Sequence, residues 1–456
     1  MQIVRTTENQ LEKKCEIHID YCPEWTEETK CIYRENDYGL AVDIGTTTIA
    51  MSCYRLHDRK WMGNYQEMNS QCMMGSDVVM RLMHCVQGKQ ERLQRLVIEQ
   101  LEDMAGKICK DICAIKDIKK MTVVGNAAMC HIFAGQDAAG LAGSPFRTAY
   151  KGTLRYKGDI LGFQSLSGAD IIILPGIESH VGADTTAMMA CVPIHNSTAT
   201  HIAIDIGTNA EIVLHHKGED IVCSAPAGPA FEGMEISCGM RGIKGAIAGV
   251  KLAPQTGNLV LNVIGPEGTR PIGLCGSGLV DAVAQLLQCG LIQRDGYLLT
   301  ADEAREQGIT EKFIERLEKD AFVLYQDETT QENKVSLTRE DIRQFQLAKA
   351  SVQAGIKMLL SSREISVSQV NAIWVAGEFG KYISKTNAVK TGMFPKELEE
   401  KIYVVGNAAG VGAAQALLDE NFCLVLEEIA AKSKHLELAE SENFRQEFIA
   451  AMELGY

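Results

Sequence analysis

The stretch AVDIGTTTIA, residues 41–50, decides how the rest of the chain is read. Leu40, Ala41 and Val42 read as a strand that ends in Asp43 and turns at Gly45, and the hydroxyls of Thr46, Thr47 and Thr48 follow before apolar residues resume. One copy is only a strand, a glycine turn and a strand, as in any hairpin. The pattern recurs as IAIDIGTNAEIVL, residues 202–214, with Asp205, Gly207, Thr208 and Asn209 in the matching places. The two aspartates stand 162 positions apart (205 minus 43). Two copies in one chain imply a duplicated fold with a cleft between its halves.

These residue types suit a phosphate chain. Backbone N–H groups must approach it closely, which glycine at the turn permits, and the threonines add hydroxyl donors. Mg²⁺ on a nucleotide keeps several waters, and one or two carboxylates hold those waters. Asp43 and Asp205, one from each half, are placed to face such an ion from opposite sides. The competing reading is two ordinary hairpins whose Asp and Thr make local turn hydrogen bonds; the repeat argues against it.

With 456 residues the chain has room for two or three domains. Its 46% hydrophobic and 23% charged residues are those of an ordinary globular protein with a sizeable core. A net charge of -14 argues against nucleic-acid binding, which needs a basic face. The 15 cysteines are odd in number and scattered through apolar runs, as at Cys109, Cys113 and Cys130, which reads as reduced thiols rather than a secreted disulfide framework. The first residues, MQIVRTTENQLEKKCEI, contain no apolar signal core, and no apolar run approaches ~18 residues. A cytoplasmic protein without a membrane span is expected.

Residues 1–38 form a polar N-terminal segment with Cys15, Cys22 and Cys31. Their spacing, C-x6-C-x8-C, fits neither the plant-type ferredoxin pattern nor a zinc CxxC pair, so an iron–sulfur cluster is not supported. The first lobe, 39–198, reads as strands at 40–42, 49–54 and near 61–65, a long helical region over 75–113, a strand at 121–128 entering a helix at Ala127 with Asn126 as its cap, and a strand at 170–176 leading into a helix at Asp184. The second lobe, 199–456, repeats this order. Its strands lie at 202–206, 210–216 and 220–224, a helix capped by Ser336 or Thr338 spans 336–360, and strands follow at 372–377 and 402–410. The tail, 441–454, reads as a closing helix.

The tetrapeptide GNAA occurs at 125–128 and 406–409, yet by order the first copy aligns with residues 374–378. Gly125 to Gly377 is 252 positions, so the second lobe carries about 90 extra residues (252 minus 162), placed at about 227–336. In this glycine-rich insertion Gly276, Ser277 and Gly278 stand before an apolar helix. Such a helix start either receives a phosphate or ribose edge or is a tight loop that lets the helix pack closely. Residues 301–335, highly charged, read as a solvated helix and loop.

The two phosphate loops, the VAG strand at 375–377 and GNAAGVGAA at 406–414 are similar to the superfamily of acetate and sugar kinases, the heat-shock chaperone ATPase and actin. That resemblance implies an α/β fold of two duplicated ribonuclease-H-like lobes that clasp ATP–Mg²⁺ in the cleft between them. Within the superfamily the chain most resembles the ATP-dependent reductive activators of corrinoid proteins. The likeness rests on VDIGTTT (42–48), NSQCMMGSDVVMR (69–81), VGNAAM (124–129), VGADT (181–185), DIGTNAE (205–211), AGPAFEG (227–233), GMRGIKGAI (239–247), CGSGLVDA (275–282), QLAKA (346–350), AGEFGKYI (376–383) and GNAAG (406–410), in that order from residue 39 to the end.

The resemblance implies an ATPase that drives an inactive Co(II) corrinoid protein back to Co(I) for methyl transfer, acting as a homodimer. Asp43 and Asp205 would hold Mg²⁺ through water, and Asp205 would also orient the attacking water. Gly45, Thr46, Thr47, Thr48, Gly207, Thr208 and Asn209 would cradle phosphates. Gly276, Ser277 and Gly278 would add a helix start, and Gly377, Glu378 and Phe379 would lie against the nucleoside. The family typically carries an N-terminal [2Fe–2S] ferredoxin-like domain. The cysteine spacing here departs from it, which implies a separate low-potential electron donor. The alternatives are a small-molecule kinase with Asp184 or Asp205 as base, and an activator of 2-hydroxyacyl-CoA dehydratases that bridges two subunits with a [4Fe–4S] cluster through Cys238 and Cys275. A non-catalytic nucleotide-gated module is a third, which intact Asp43 and Asp205 disfavour.

Overall fold

The structure is a computed structural model that describes residues 2–6, 33–195, 197–327, 333–377, 383–439 and 441–456, the first five by main chain alone. Cys15, Cys22, Cys31, Glu378 and Phe379 lie outside the described residues.

Two six-stranded sheets organise the chain. In the first, Tyr38–Ile44 pairs antiparallel with Thr48–Arg55, which pairs with Lys60–Met68; on its other side it pairs parallel with Ile118–Gly125, then Asp170–Ile173, then Leu154–Lys157 at the edge. The central strand YGLAVDI is covered on both faces, with Leu40, Val42 and Ile44 fully buried, so it is apolar nearly throughout. In the second sheet His201–Ile206 pairs with Ala210–His216 and then Glu219–Ala225, and on its other side runs parallel to Ala372–Ala376 and then Ile402–Gly406. The short strand Lys434–His435 completes the second sheet, parallel to Glu219–Ala225. Counted within each half, both sheets share the run third, second, first, fourth strand; the first sheet continues with its sixth and then its fifth strand, the second with its fifth. Gly125 ends the fourth strand of the first half and Gly377 follows that of the second, while the second GNAA stands after a fifth strand.

The helical region over 75–113 is two helices, Val78–Val86 and Gln90–Cys109. Gly88, at φ 75°, turns the chain between them, because a left-handed residue interrupts the helical hydrogen-bond ladder. The long helix of the second half is Arg339–Ser362. Thr338 caps it in a reciprocal pair with Asp341, while Ser336 lies in the preceding strand.

The inserted segment builds its own sheet, a hairpin of Ala246–Ala253 and Asn258–Ile264 backed by the helix Gly276–Gln288. The strand Gln2–Thr6 joins this sheet parallel to Asn258–Ile264, with Gln2 opposite Val260. Residues 301–335 differ from the solvated helix and loop expected. Two short helices, Ala301–Glu306 and Glu311–Ile314, lead into a hairpin of Ala321–Gln326 and Lys334–Thr338 that buries Phe322, Leu324, Val335 and Leu337. The flanking charges hid the apolar run that forms it.

The helix Ala408–Leu418 ties the halves together. It comes from the second half but packs on the first sheet, where Thr122 Oγ1 donates to the Ala413 carbonyl at 2.7 Å and Lys120 Nζ to that of Leu417 at 3.2 Å. It also lies against Ala183–Cys191, and a Cβ on Gly412 would stand 2.7 Å from Ala187 Cβ. Among the described residues no helix is long and apolar enough to cross a membrane.

Candidate active site

Both strand–glycine–strand turns open into one cavity of about 360 Å³ between the halves. Asp43, Gly45, Thr46, Thr47, Thr48, Asp205, Gly207, Thr208, Asn209, Gly276, Ser277 and Gly377 all line it. Gly278 does not. It faces the strand Ala246–Ala253, where a Cβ would come within 2.1 Å of the Ile247 carbonyl oxygen, so its lack of a side chain serves the packing of the helix Gly276–Gln288.

The first loop is held from below. Arg81, fully buried, donates from Nη2 to the Thr46 carbonyl at 2.6 Å and from Nε to the Gly75 carbonyl at 2.9 Å. Asn69 Nδ2 donates to the Gly45 carbonyl at 2.9 Å. Two helix caps also reach this loop. Asn126 accepts from the Met129 N–H and donates to Thr46 Oγ1, both at 3.0 Å. Asn407 accepts from the Gly410 N–H at 2.7 Å and donates to Asp43 Oδ2 at 3.0 Å. The repeated GNAA thus supplies one cap from each half, and both caps contact the first loop.

The second loop is tighter. Asp205 pairs with Glu211 across the hairpin and with Ala376 in the parallel register. Gly377, at φ 90°, passes so close that a Cβ would lie 2.7 Å from Asp205 Oδ1. Glu232, from the turn Pro229–Glu232, accepts from Thr208 Oγ1 at 2.9 Å and also from Thr47 Oγ1 of the first loop. Arg241 donates across the same gap to the Thr47 carbonyl at 2.9 Å.

Among the described residues five carboxylates face this cleft: Asp43, Asp184, Asp205, Glu211 and Glu232. Burial first, and then the neighbouring charges of Asp184, Asp43 and Glu232, push the Asp205 carboxyl up to about 8. Burial raises Asp184 to about 6. Glu211 is held well above the ordinary carboxylate range by burial and by Asp184 and Asp205. Crowded acidic oxygens of this kind suit a hard cation, which relieves their repulsion. Among the described residues no group of three or more His, Cys, Asp or Glu side chains is arranged to hold a metal ion directly. The helix Gly276–Gln288 starts at the cavity with no side-chain cap, which leaves its first N–H groups for an anion.

Cys275 is buried beside these groups, and its Sγ lies 3.4 Å from the Ile247 carbonyl. Cys238 contacts the Lys334 carbonyl. A cluster shared between subunits needs thiolates at the surface, and Cys275 does not offer one.

Sequence reasoning passed over Glu232, Arg241, Asn407 and Asn126 as site residues. Glu232 carried a faint signal, as the one acid in the apolar, glycine-rich run AGPAFEG.

Residues 199–455 match the family domain described as the C-terminal domain of RACo, the ASKHA domain, and residues 38–197 match the RACo middle region. The chain belongs to the RACo family. It is 30% identical over 436 residues to the corrinoid activation enzyme RamQ of Eubacterium limosum, covering 94% of this chain and 72% of that protein. It is 25% identical over 448 residues to the [Co(II) methylated amine-specific corrinoid protein] reductase of Methanosarcina barkeri, covering 92% of this chain and 77% of that one. A solved structure, a reductive activator for corrinoid, iron–sulfur protein, superposes with a TM-score of 0.84 at 30% identity, over 92% of this chain and 67% of that chain. The two lobes around the cleft are therefore the ASKHA, actin-like ATPase fold that the duplicated loops imply.

Proposed function

We propose that this RACo-family chain is an ATP-hydrolysing activator that drives reduction of an inactive Co(II) corrinoid protein to Co(I). The observation that carries this reading is the convergence of Asp43 and Asp205, each at the end of a glycine–threonine turn, on one cavity. The names of the relatives, corrinoid activation enzyme and Co(II) corrinoid protein reductase, support the substrate class.

The cavity fits a nucleotide. Its volume is within the range of small-molecule sites, and it joins two hydroxyl-bearing turns to an uncapped helix start. The oxygen donors suit Mg²⁺, which Asp43 and Asp205 would hold through water and which would neutralise phosphate charge. Thr46, Thr47, Thr48, Thr208 and Asn209 donate to phosphate oxygens. Asp205, half-buried next to Gly377, orients the attacking water, and the close fit of Gly377 fixes its carboxylate. The hydrolysis energy acts through the joint between the lobes, the helices Ala183–Cys191 and Ala408–Leu418. Nucleotide state changes which lobe arrangement is favoured, and the partner reads the difference in affinity between the two.

Return of the cobalt to Co(I) is uphill for common donors, and each ~59 mV of mismatch is a factor of ten for one electron. In this reading a separate low-potential donor supplies that electron; the spacing of Cys15, Cys22 and Cys31 does not match the plant-type ferredoxin pattern. The setting is cytoplasmic and the working form a homodimer.

The test is ATP hydrolysis by the purified chain with and without a corrinoid protein held as Co(II). Stimulation by the Co(II) protein supports the reading. Hydrolysis indifferent to corrinoid partners but stimulated by a small metabolite would move the assignment to a kinase.

A further inference from the structure

Thr47 and Thr208 stand in different lobes, and their hydroxyls share one acceptor, the Glu232 carboxylate. Thr208 Oγ1 donates to Oε1 at 2.9 Å, and Thr47 Oγ1 donates to Oε2. Glu232 belongs to neither loop. It ends the turn Pro229–Glu232, which Phe231 anchors edge-on to Phe345 of the long helix with 6.0 Å between ring centres. Gly233 follows at φ 78°, where a Cβ would lie 2.3 Å from the Met240 carbonyl oxygen, so residues 232–233 rest directly on residue 240. The next residue, Arg241, reaches across the cleft to the Thr47 carbonyl at 2.9 Å. One packed piece of the insertion thus extends two side chains, an acid and a base, to the first phosphate loop.

We propose that Glu232 is an interlobe clasp: its carboxylate occupies the threonine donors of both phosphate loops in the nucleotide-free protein, and nucleotide phosphates must displace it. A threonine hydroxyl has one hydrogen to donate. While Thr47 and Thr208 give theirs to Glu232, neither gives it to a phosphate oxygen. The carboxylate is itself an anion where anionic oxygens would enter, so the two repel. The clasp therefore ties the two phosphate loops to each other and couples its release to nucleotide loading. Arg241 bonds to a main-chain carbonyl, so this contact survives the exchange and keeps the insertion over the loop.

This inference rests on the nucleotide-binding reading above, and its test separates the two. The full chain is compared with Glu232→Ala and Glu232→Gln by amide hydrogen exchange without nucleotide, over residues 45–48 and 207–209. ATP affinity is measured by calorimetry with Mg²⁺ and again in EDTA. Folding is checked by thermal melting, and the near-isosteric E232Q guards against loss of fold. The clasp predicts faster exchange in both loops of E232A and a gain in ATP affinity of about threefold to tenfold, the factor equivalent to a released hydrogen bond. Unchanged exchange together with unchanged affinity would overturn it. So would weaker binding with Mg²⁺ but not in EDTA, which would make Glu232 a holder of metal-bound water. A wild-type chain that binds no nucleotide would sink the nucleotide reading, while the exchange experiment would still decide whether Glu232 ties the lobes.

Discussion

Asn407 donates a hydrogen bond to Asp43 at 3.0 Å across 364 positions of sequence. The same side chain caps the helix Ala408–Leu418 through the Gly410 N–H. One residue therefore starts the helix that joins the halves and orients a carboxylate of the first phosphate loop.

The two roles separate by substitution. Asn407→Ser keeps a hydroxyl cap but loses the reach to Asp43; Asn407→Ala loses both. We expect N407S to melt near the wild type and to lose about tenfold in ATP turnover, the worth of a charged hydrogen bond. N407A should lose about 1 kcal/mol of stability as well. Denaturant melts and steady-state turnover check the pair, and equal stability of the two variants would contradict the capping role.

Asp205 is placed as the residue that orients water. Asp205→Asn keeps the size and removes the charge, and ATP turnover should fall by at least about a hundredfold. Thermal stability without nucleotide should hold or rise, because burial and the surrounding acids already disfavour the ionised form. Turnover that survives the substitution would remove Asp205 from the reaction.

Gly377 is a position that only glycine fills without strain. Its φ is 90°, and an added Cβ would lie 2.7 Å from Asp205 Oδ1. Gly377→Ala should cost on the order of 1–3 kcal/mol in stability and lower turnover together with ATP affinity, since Asp205 must move. Turnover at the wild-type level would show that the Asp205 position is not critical.

Lys349 gives a pH signature away from the cleft. It is fully buried on the helix Arg339–Ser362, and its Nζ donates to the Glu453 carbonyl at 2.5 Å. Burial, helped by Lys357 and Arg294, pushes its pKa down from 10.5 to about 7. Between those values the unfolded chain holds a proton that the folded chain does not, so stability rises with pH across the window and its full cost remains below it. Lys349→Met removes that slope. The melting temperature of the wild type minus that of K349M should climb from pH 7 to pH 10, and a flat difference would contradict the burial account.

The parts of this protein legible in its sequence are those with a local cause. An apolar run, an aspartate and a glycine lie side by side at 42–45 and again at 204–207, so both loops and their sheets could be placed, and the cap at Asn126 follows from its neighbours. Glu232 and Arg241 act on Thr47 from 185 and 194 positions away, a pairing with no local pattern. Asn407 shares its tetrapeptide with Asn126 but follows the fifth strand rather than the fourth, so its contact falls on Asp43 rather than on Thr46. Gly278 shows the ambiguity of glycine. The same residue permits an approaching phosphate or an approaching strand, and here Ile247 occupies the space. At 321–338 charged neighbours masked an apolar hairpin, and Gly88 divides the helical region over 75–113 into two helices, a break that apolar periodicity alone does not mark.

The account turns on coupling between nucleotide hydrolysis and cobalt reduction. The most direct measurement follows the absorbance of a Co(II) corrinoid protein mixed with this chain and titanium(III) citrate, with ATP–Mg²⁺, with a non-hydrolysable ATP analogue, or without nucleotide. The account predicts Co(I) in catalytic excess over the chain only with ATP, and none with the D205N chain. Co(I) formed at the same rate without ATP, or equally with D205N, would contradict it.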